Sequence, residues 1–391
     1  MFGVSLILSL VAVGVWAYLL LFRGGFWREM PRPAPEGAPE TWPEVVAVIP
    51  ARNEADVIGV SMGALLAQDY PGRLTAILVD DDSSDGTAEA AREAGQGKPA
   101  RLHVVRNDHL PEGWTGKLWA VHHGLEEAAR LAPDAKYVLL TDADIWHEPT
   151  SLRQLVTRAE TGGLKLVSLM ARLKTATLAE SALIPAYIFF FQKLYPFSWV
   201  NDPKHRMAGA AGGCMLVERA ALNAIGGIAA IRNRLIDDCA LGQAIKSQGP
   251  IWLGLADGVL SLRGYPRWRD VWMLIARSAF TQLGFSTLML LVAVLSMLAT
   301  YLLPPLLTIF AHGAARSISA AAWAMMILAY QPTLRYYART PLWSLALPLV
   351  ALFYTAATVD SAWRYWRGRG GAWKGRLQAQ SATADSTTGS V

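Results

Sequence analysis

The residues of this chain best suited to chemistry are acids that end apolar runs. Tyr137-Val-Leu-Leu-Thr141 leads straight into Asp142-Ala-Asp144. A short aliphatic run that stops in acids reads as a buried parallel strand reaching its C-terminal edge. Ligands of open α/β sheets bind outside those edges. Two hard carboxylates there suit Mg2+ or Mn2+ held against a diphosphate, because Mg2+ takes one or two carboxylates and completes its shell with water and phosphate. The same spacing recurs at Asp80 and Asp82, and a solvated strand end explains an isolated Asp-x-Asp equally well. The neighbouring stretches decide.

Residues 45–49 form a buried-strand run that stops at Pro50-Ala-Arg52-Asn53-Glu54, and a helical pattern follows with Ile58, Met62, Leu65 and Leu66 on one face. Arg52 and Asn53 at such a strand–turn–helix start can reach a base or phosphate, or simply form a polar loop. Residues 74–79 are a second strand, ending in Asp80-Asp-Asp-Ser-Ser-Asp-Gly-Thr87. Three consecutive acids need a cationic or donor-rich partner to ionise together. Ser83, Ser84 and Asp85 supply a cap for the Ala-rich helix that follows, so Asp85 is assigned to capping and Asp81 to a ligand. A third strand, residues 102–105, precedes a loop holding Gly116 and Lys117, then a helix through Ala120, Leu125 and Ala128. Gly116 permits close backbone approach, and Lys117 at a helix start faces either a phosphate or solvent.

Four of these stretches stand in the order and spacing of family 2 glycosyltransferases, which the chain resembles over residues 45–265. They are Val-Ile-Pro-Ala-Arg-Asn-Glu (48–54), Val-Asp-Asp-Asp-Ser-Ser-Asp-Gly-Thr (79–87), Gly-Lys-Leu-Trp-Ala-Val-His-His-Gly (116–124) and Thr-Asp-Ala-Asp (141–144). The resemblance implies an α/β GT-A (Rossmann-like) domain using a nucleotide-activated sugar. It implies that Asp81 contacts uracil, that Pro50, Arg52, Asn53 and Glu54 line the nucleotide pocket with Lys117 and Asp142, and that Asp144 with Asp142 holds the metal. His122 stands where the family often has Asn. Further on, Phe189-Phe-Phe-Gln-Lys-Leu-Tyr195, Trp199-Val-Asn-Asp202, Gly209-Ala-Ala-Gly-Gly-Cys-Met-Leu-Val217 and Ala279-Phe-Thr-Gln-Leu283 resemble the hopene-associated branch, itself similar to ceramide glucosyltransferases.

Asp237 and Asp238 begin a helix, where the dipole favours carboxylates, so they serve as caps or as catalytic acids. The family usually has Glu-Asp here with the second acid as general base. That maps the base to Asp238 and a supporting role to Asp237. Arg263-Gly-Tyr-Pro-Arg267-Trp268 is similar to the family's Gln/Arg-x-x-Arg-Trp motif, one residue too long. Arg267 and Trp268 are therefore either diphosphate or acceptor contacts, or a juxtamembrane basic-aromatic anchor. Ala208 to Gly213 is a small-residue cluster before a strand at 214–217, suited to close approach by a sugar or lipid.

What must carry these residues is a domain tied to a membrane. Of 391 residues, 53% are hydrophobic, and the excess lies at the two ends. Residues 4–22 are an apolar run of spanning length followed by Arg23, Arg28 and Arg32, which predicts an anchor with its N-terminus outside. Residues 285–310, 318–330 and 342–359 are further apolar runs, and residues 183–194 read as a buried or an interfacial helix. Arg335 and Arg339 fit a cytoplasmic loop, yet the basic tail wants the same side, so one span is miscounted, re-entrant or interfacial. The expected division is an anchor (1–24), a Pro-rich linker (25–44), a catalytic domain (45–270), C-terminal membrane helices (271–376) and a disordered tail (377–391). The net charge of +5 sits beside the apolar runs, which points to anionic lipid headgroups rather than nucleic acid. Cys214 and Cys239 make neither a disulfide framework nor a metal set.

The expected activity is inverting transfer from a UDP-sugar to a membrane lipid hydroxyl, on a multi-pass protein of a bacterial-type inner membrane with its catalytic domain cytoplasmic. Polyprenyl phosphate or polysaccharide as acceptor, and a non-catalytic membrane scaffold, are the rival readings.

Overall fold

Apolar runs with no polar face become strands buried on both sides, and here they assemble one eight-stranded sheet. The computed structural model describes residues 2–32, 34–97, 101–107, 109–368, 372–373 and 376–377. The strands are β1 (Val45–Ala51), β2 (Leu74–Asp80), β3 (Leu102–Arg106), β4 (Tyr137–Thr141), β5 (Ile145–His147), β6 (Leu166–Arg172), β7 (Cys214–Glu218) and β8 (Ile251–Ser261). Their order is β3-β2-β1-β4-β7-β6-β8-β5. β3, β2, β1 and β4 are mutually parallel, with Val45 opposite Leu74 on one side and Tyr137 on the other. β7 runs antiparallel to β4 and β6, and β5 antiparallel to β8. The parallel strand ends thus bring Ala51, Asp80 and Thr141 to one edge, the place where such sheets bind ligands. Pro50 is tolerated in β1 because pairing with β4 ends at Val48, so its missing N–H breaks no ladder bond there.

Helices cover this sheet. Along Gly116–Leu131 the turn that meets the sheet carries Gly124, and a Cβ there would come within 2.4 Å of Val48 and 2.8 Å of Val79. That glycine lets the helix lie directly on β1 and β2. The helix starts on Thr115, whose hydroxyl accepts from the Leu118 amide at 3.3 Å.

The chain divides into two compact units. One comprises Pro31–Lys174, Val200–Gly264 and Ala372–Val391; the other Met1–Met30, Thr175–Trp199 and Tyr265–Gly371. The eight-stranded sheet belongs to the first. The second holds helices Phe2–Leu21, Leu178–Leu194, Thr287–Met297 running on through a π turn into Leu303–Phe310, Gly313–Tyr336 and Leu347–Trp366. Three stretches, Gly3–Leu21, Thr287–Phe310 and Pro341–Trp366, are long and apolar enough to cross a membrane. Leu288, Leu291 and Leu295 of the second stay exposed, as do Leu349 and Leu352 of the third, a surface suited to lipid.

Two sequence expectations shift here. The short run at 318–330 lies within a helix of 24 residues, Gly313–Tyr336, about 36 Å long, which is not among the three apolar candidates. Its small residues pack inward, and Ser319 donates to Ser9 Oγ at 2.7 Å. Residues 175–199, placed by sequence inside the 45–270 domain, cluster with the terminal helices. Ile184, Ile188 and Phe189 are fully buried there, because a helix apolar all round must be covered on every side. A capping box, Thr177 with Glu180, starts that helix. The tail beyond Leu377 lies outside the described residues.

Candidate active site

The loops after β1 and β2 are laced together. The Asp81 amide donates to Ala51 O at 2.8 Å, Asn53 N to Ser83 Oγ at 3.0 Å, and Ser84 N to Asn53 Oδ1 at 3.0 Å. Asn53 and Asp82 take left-handed backbone (φ 50° and 56°), which Asn and Asp tolerate better than other side chains. Arg52 donates to Asp81 O, and to Asp82 O at 3.3 Å, so its guanidinium clamps one loop to the other. Asp81 is fully buried, accepts from Asn107 Nδ2 at 3.0 Å and lies 3.7 Å from Arg52. Asn107 was not picked out by sequence. Asp85 caps twice, accepting from Thr87 N at 3.1 Å and from Ala55 N at 3.0 Å. Burial would raise its pKa, but a hydrogen bond from the Thr87 hydroxyl, then those from the two amides, hold it below the usual carboxylate range.

Across the strand ends from these loops lies a cluster of acids. Lys117 sits at its centre, 2.9 Å from Asp142 Oδ1 and 3.3 Å from Asp237 Oδ2. Burial works against the charged ammonium, but Asp142, Asp237 and Asp238 outweigh it and raise its pKa, so Lys117 is a fixed cation. Burial pushes the Asp142 carboxyl up; Lys117 opposes this and Asp144 adds to it. Pro50, Lys117, Asp142, Gly212 and Asp237 line a narrow cleft that opens to solvent.

Asp238 stands beside this cleft. Its Oδ2 accepts from the Gly212 amide at 3.0 Å and its Oδ1 from Cys239 N at 2.7 Å. The helix Asp237–Lys246 has no side-chain cap at Ile236, so Asp238 is turned towards the Gly212 backbone rather than into a cap of that kind. Burial, then repulsion from Asp237, raises its pKa to about 6, against the pull of Lys117 and the two amides. A carboxylate poised near neutrality is what proton abstraction at physiological pH requires.

Asp144 is held by its main chain as well as its carboxylate. Leu262 N, just beyond β8, donates to Asp144 O at 2.7 Å, and Ser61 Oγ donates to Ala143 O at 2.5 Å. Its Oδ2 accepts from Arg263 Nε at 3.0 Å and Ser261 Oγ at 3.2 Å, while Arg263 Nη2 reaches Glu54 Oε1 at 2.5 Å. Arg263 therefore joins the first motif to the fourth. Of the basic residues in the Arg263–Trp268 stretch, the sequence singled out Arg267. Arg267 and Trp268 belong to the other compact unit, where Arg267 pairs with Asp270 at 3.0 Å. His122 stacks on Trp114 with ring centroids 4.8 Å apart, and pairs with Glu126 at 3.5 Å.

The donor set suits a divalent cation that arrives with phosphate oxygens. Among the described residues no cluster of three or more His, Cys, Asp or Glu side chains stands ready to hold a metal. Asp142 and Asp144 offer hard oxygens at one strand end, and Glu54, Asp142, Asp144, Asp237 and Asp238 share two cations, Lys117 and Arg263. Over these charge pairings of the described residues, five acids against two bases is an excess of three negative charges when all are ionised, the kind of balance that a divalent ion relieves.

Residues 46–226 match the family described as Glycosyl transferase family 2. A 4,4'-diaponeurosporenoate glycosyltransferase of Staphylococcus haemolyticus is 33% identical over 106 residues, 27% of this chain and 25% of that protein. A Bacillus subtilis protein described as a probable glycosyltransferase, YdaM, is 30% identical over 162 residues, 38% of this chain and 35% of that protein. The matches thus span a quarter to about a third of these curated relatives. In three dimensions the chain is similar to a mannosyltransferase from Pyrobaculum calidifontis, solved in complex with GDP-Man and Mn2+, at TM-score 0.56 and 20% identity over 94% of this chain and 99% of that one. The Asp237–Asp238 pair and Arg263 lie beyond the matched residues. With four motifs on one sheet edge, residues 46–226 match glycosyl transferase family 2 and fold as a Rossmann-like GT-A domain.

Proposed function

We propose that this protein is a membrane-anchored enzyme that transfers a sugar from a UDP-sugar to a lipid hydroxyl with inversion, the acceptor being a hopanoid-type polycyclic lipid. The observation that carries the reaction is the placement of Asp238, raised to about 6, across Lys117 from Asp142 and Asp144. One carboxylate is tuned to take a proton, and the opposite pair is suited to a diphosphate and its cation.

In this reading uracil lies against Asp81 and the Asn53–Glu54 turn, and the diphosphate runs towards Asp144. The acceptor hydroxyl attacks the anomeric carbon on the face away from UDP. Its proton passes to the Asp238 carboxylate as the new C–O bond forms. The bond to the β-phosphate breaks with its electron pair, leaving UDP. Asp142 and Asp144 would hold Mg2+ or Mn2+, which when bound neutralises the charge growing on the leaving diphosphate. Lys117 keeps Asp237 and Asp142 in place and faces the same charge.

The three apolar stretches favour a lipid acceptor, since drawing one into water costs about 0.8 kcal/mol per CH2. Arg23, Arg28 and Arg32 after the first stretch favour a cytoplasmic catalytic domain. The test is to incubate membranes carrying the protein with a panel of labelled UDP- and GDP-sugars and analyse the lipid extract. Label from a UDP-sugar in a polycyclic lipid is expected. Label only in polyprenyl phosphate or polysaccharide would replace the acceptor, and no transfer or hydrolysis by pure protein would leave the scaffold reading.

A further inference from the structure

We propose that Arg263 occupies the metal side of the site until a nucleotide diphosphate arrives, so that this protein takes up its divalent ion with the nucleotide and not before it. The inference rests on the metal–diphosphate reading above and adds an order of binding.

The argument begins with geometry at one oxygen. Asp144 Oδ2 accepts from both Arg263 Nε, at 3.0 Å, and Ser261 Oγ, at 3.2 Å. The other end of the guanidinium is fixed by Glu54 Oε1 at 2.5 Å. Glu54 and Asp144 are each 8% exposed, so these contacts are shielded from water and only weakly screened by salt. A lone divalent ion seeking Asp144 must displace a charge-assisted hydrogen bond. It then sits beside a cation still anchored on Glu54. The described residues offer it no ready set of three acidic, His or Cys ligands in return.

A diphosphate changes each of these terms. It brings the missing oxygens and enough negative charge to cancel the repulsion between ion and guanidinium. The planar fork of Arg263 matches phosphate oxygens as well as it matches carboxylates. The Arg263 side chain is 36% exposed, which leaves its tip room to move from Asp144 to an incoming phosphate. Arg263 thus stands in for the ion before a diphosphate arrives and partners the diphosphate afterwards.

The test measures Mn2+ uptake by electron paramagnetic resonance on the full chain in detergent, with and without UDP, for wild type, Arg263→Gln and Arg263→Lys. Wild type should take up Mn2+ appreciably only with UDP. Arg263→Gln should bind Mn2+ alone at least about tenfold tighter than wild type, the scale on which a charge at this distance acts, yet bind Mn2+ with UDP more weakly. A merely structural arginine would weaken both or neither, so opposite signs are the signature. Arg263→Lys, which keeps the charge on a single contact, should fall between, and it carries the test if the Gln variant does not fold. Arg263→Gln that binds Mn2+ alone no tighter than wild type overturns the inference. So does wild type that binds Mn2+ equally with and without UDP, although the metal reading then survives. Wild type that binds UDP but never Mn2+ overturns both.

Discussion

The loops after β1 and β2 and the acid cluster share one sheet edge, yet their charges are balanced in opposite ways. Around Asp81 the acids are met locally: Arg52 clamps two loops, Asn107 donates to Asp81, and Asp85 caps two helices. Around Lys117 the acids outnumber the cations, and burial leaves Asp142 and Asp238 raised. The first region is a pocket finished by folding. The second is a cluster that folding leaves charged, which is what the proposed chemistry rather than stability would call for.

Chelation breaks the comparison hardest. EDTA should abolish turnover and metal-dependent UDP binding while the fold melts near its usual temperature, because the loops around Asp81 do not use the ion. Full activity in EDTA would remove the metal from the mechanism. Next comes Asp238→Asn, which keeps the shape and loses the proposed base. Turnover should fall by about two or more orders of magnitude. Its melting temperature at pH 7.5 should be at or above wild type. The sign follows from linkage: a carboxyl whose folded pKa is raised favours the fold at low pH and loses that contribution as pH rises through about 6.

Asp81→Ala probes the other region and should behave oppositely. It strips partners from Arg52 and from Asn107 in a buried setting, at about 3 kcal/mol of stability. UDP affinity should drop about tenfold or more, whereas the rate at saturating donor should change less. Denaturant melts and UDP titrations of Asp81→Ala beside Asp238→Asn read the contrast directly. A stable Asp81→Ala would show that the pocket is not finished by folding.

Much of this was legible because local chemistry and fold agree. β1, β2, β3, β4 and β7 are apolar runs closed by acids, turn residues or small residues, and each is found where the pattern predicts, within two residues at its ends. β8 was not foreseen, because Gly254, Asp257 and Gly258 interrupt it in the manner of a turn; its register follows from pairing with β6 and β5. Nor does spacing reveal Arg263. It lies 209 residues from Glu54 and 119 from Asp144 along the chain, and only the end of β8 brings the three together. The Gly313–Tyr336 helix was underestimated because hydropathy is blind to small residues that pack against another helix.

The smallest expected effect, and the sharpest, is that of Asp237→Asn on the pH profile. In wild type kcat/KM should rise with pH through about 6 and level off above it, since Asp238 must be ionised to accept a proton and its pKa in the free enzyme lies there. Asp237 contributes through two routes: its charge raises Asp238, and it draws Lys117 to 3.3 Å. Removing that charge relieves the repulsion and leaves Lys117 to Asp142 and Asp238, and both changes lower the Asp238 pKa. The acid limb should therefore move to lower pH. At pH 8 the rate should fall less than about tenfold, because a slightly weaker base is still ionised and in place. A limb that stays put would mean that the titrating group is not Asp238. A limb that moves up would mean that Lys117 follows Asp142 away from the base, so that Asp237 anchors the lysine more than it repels its neighbour.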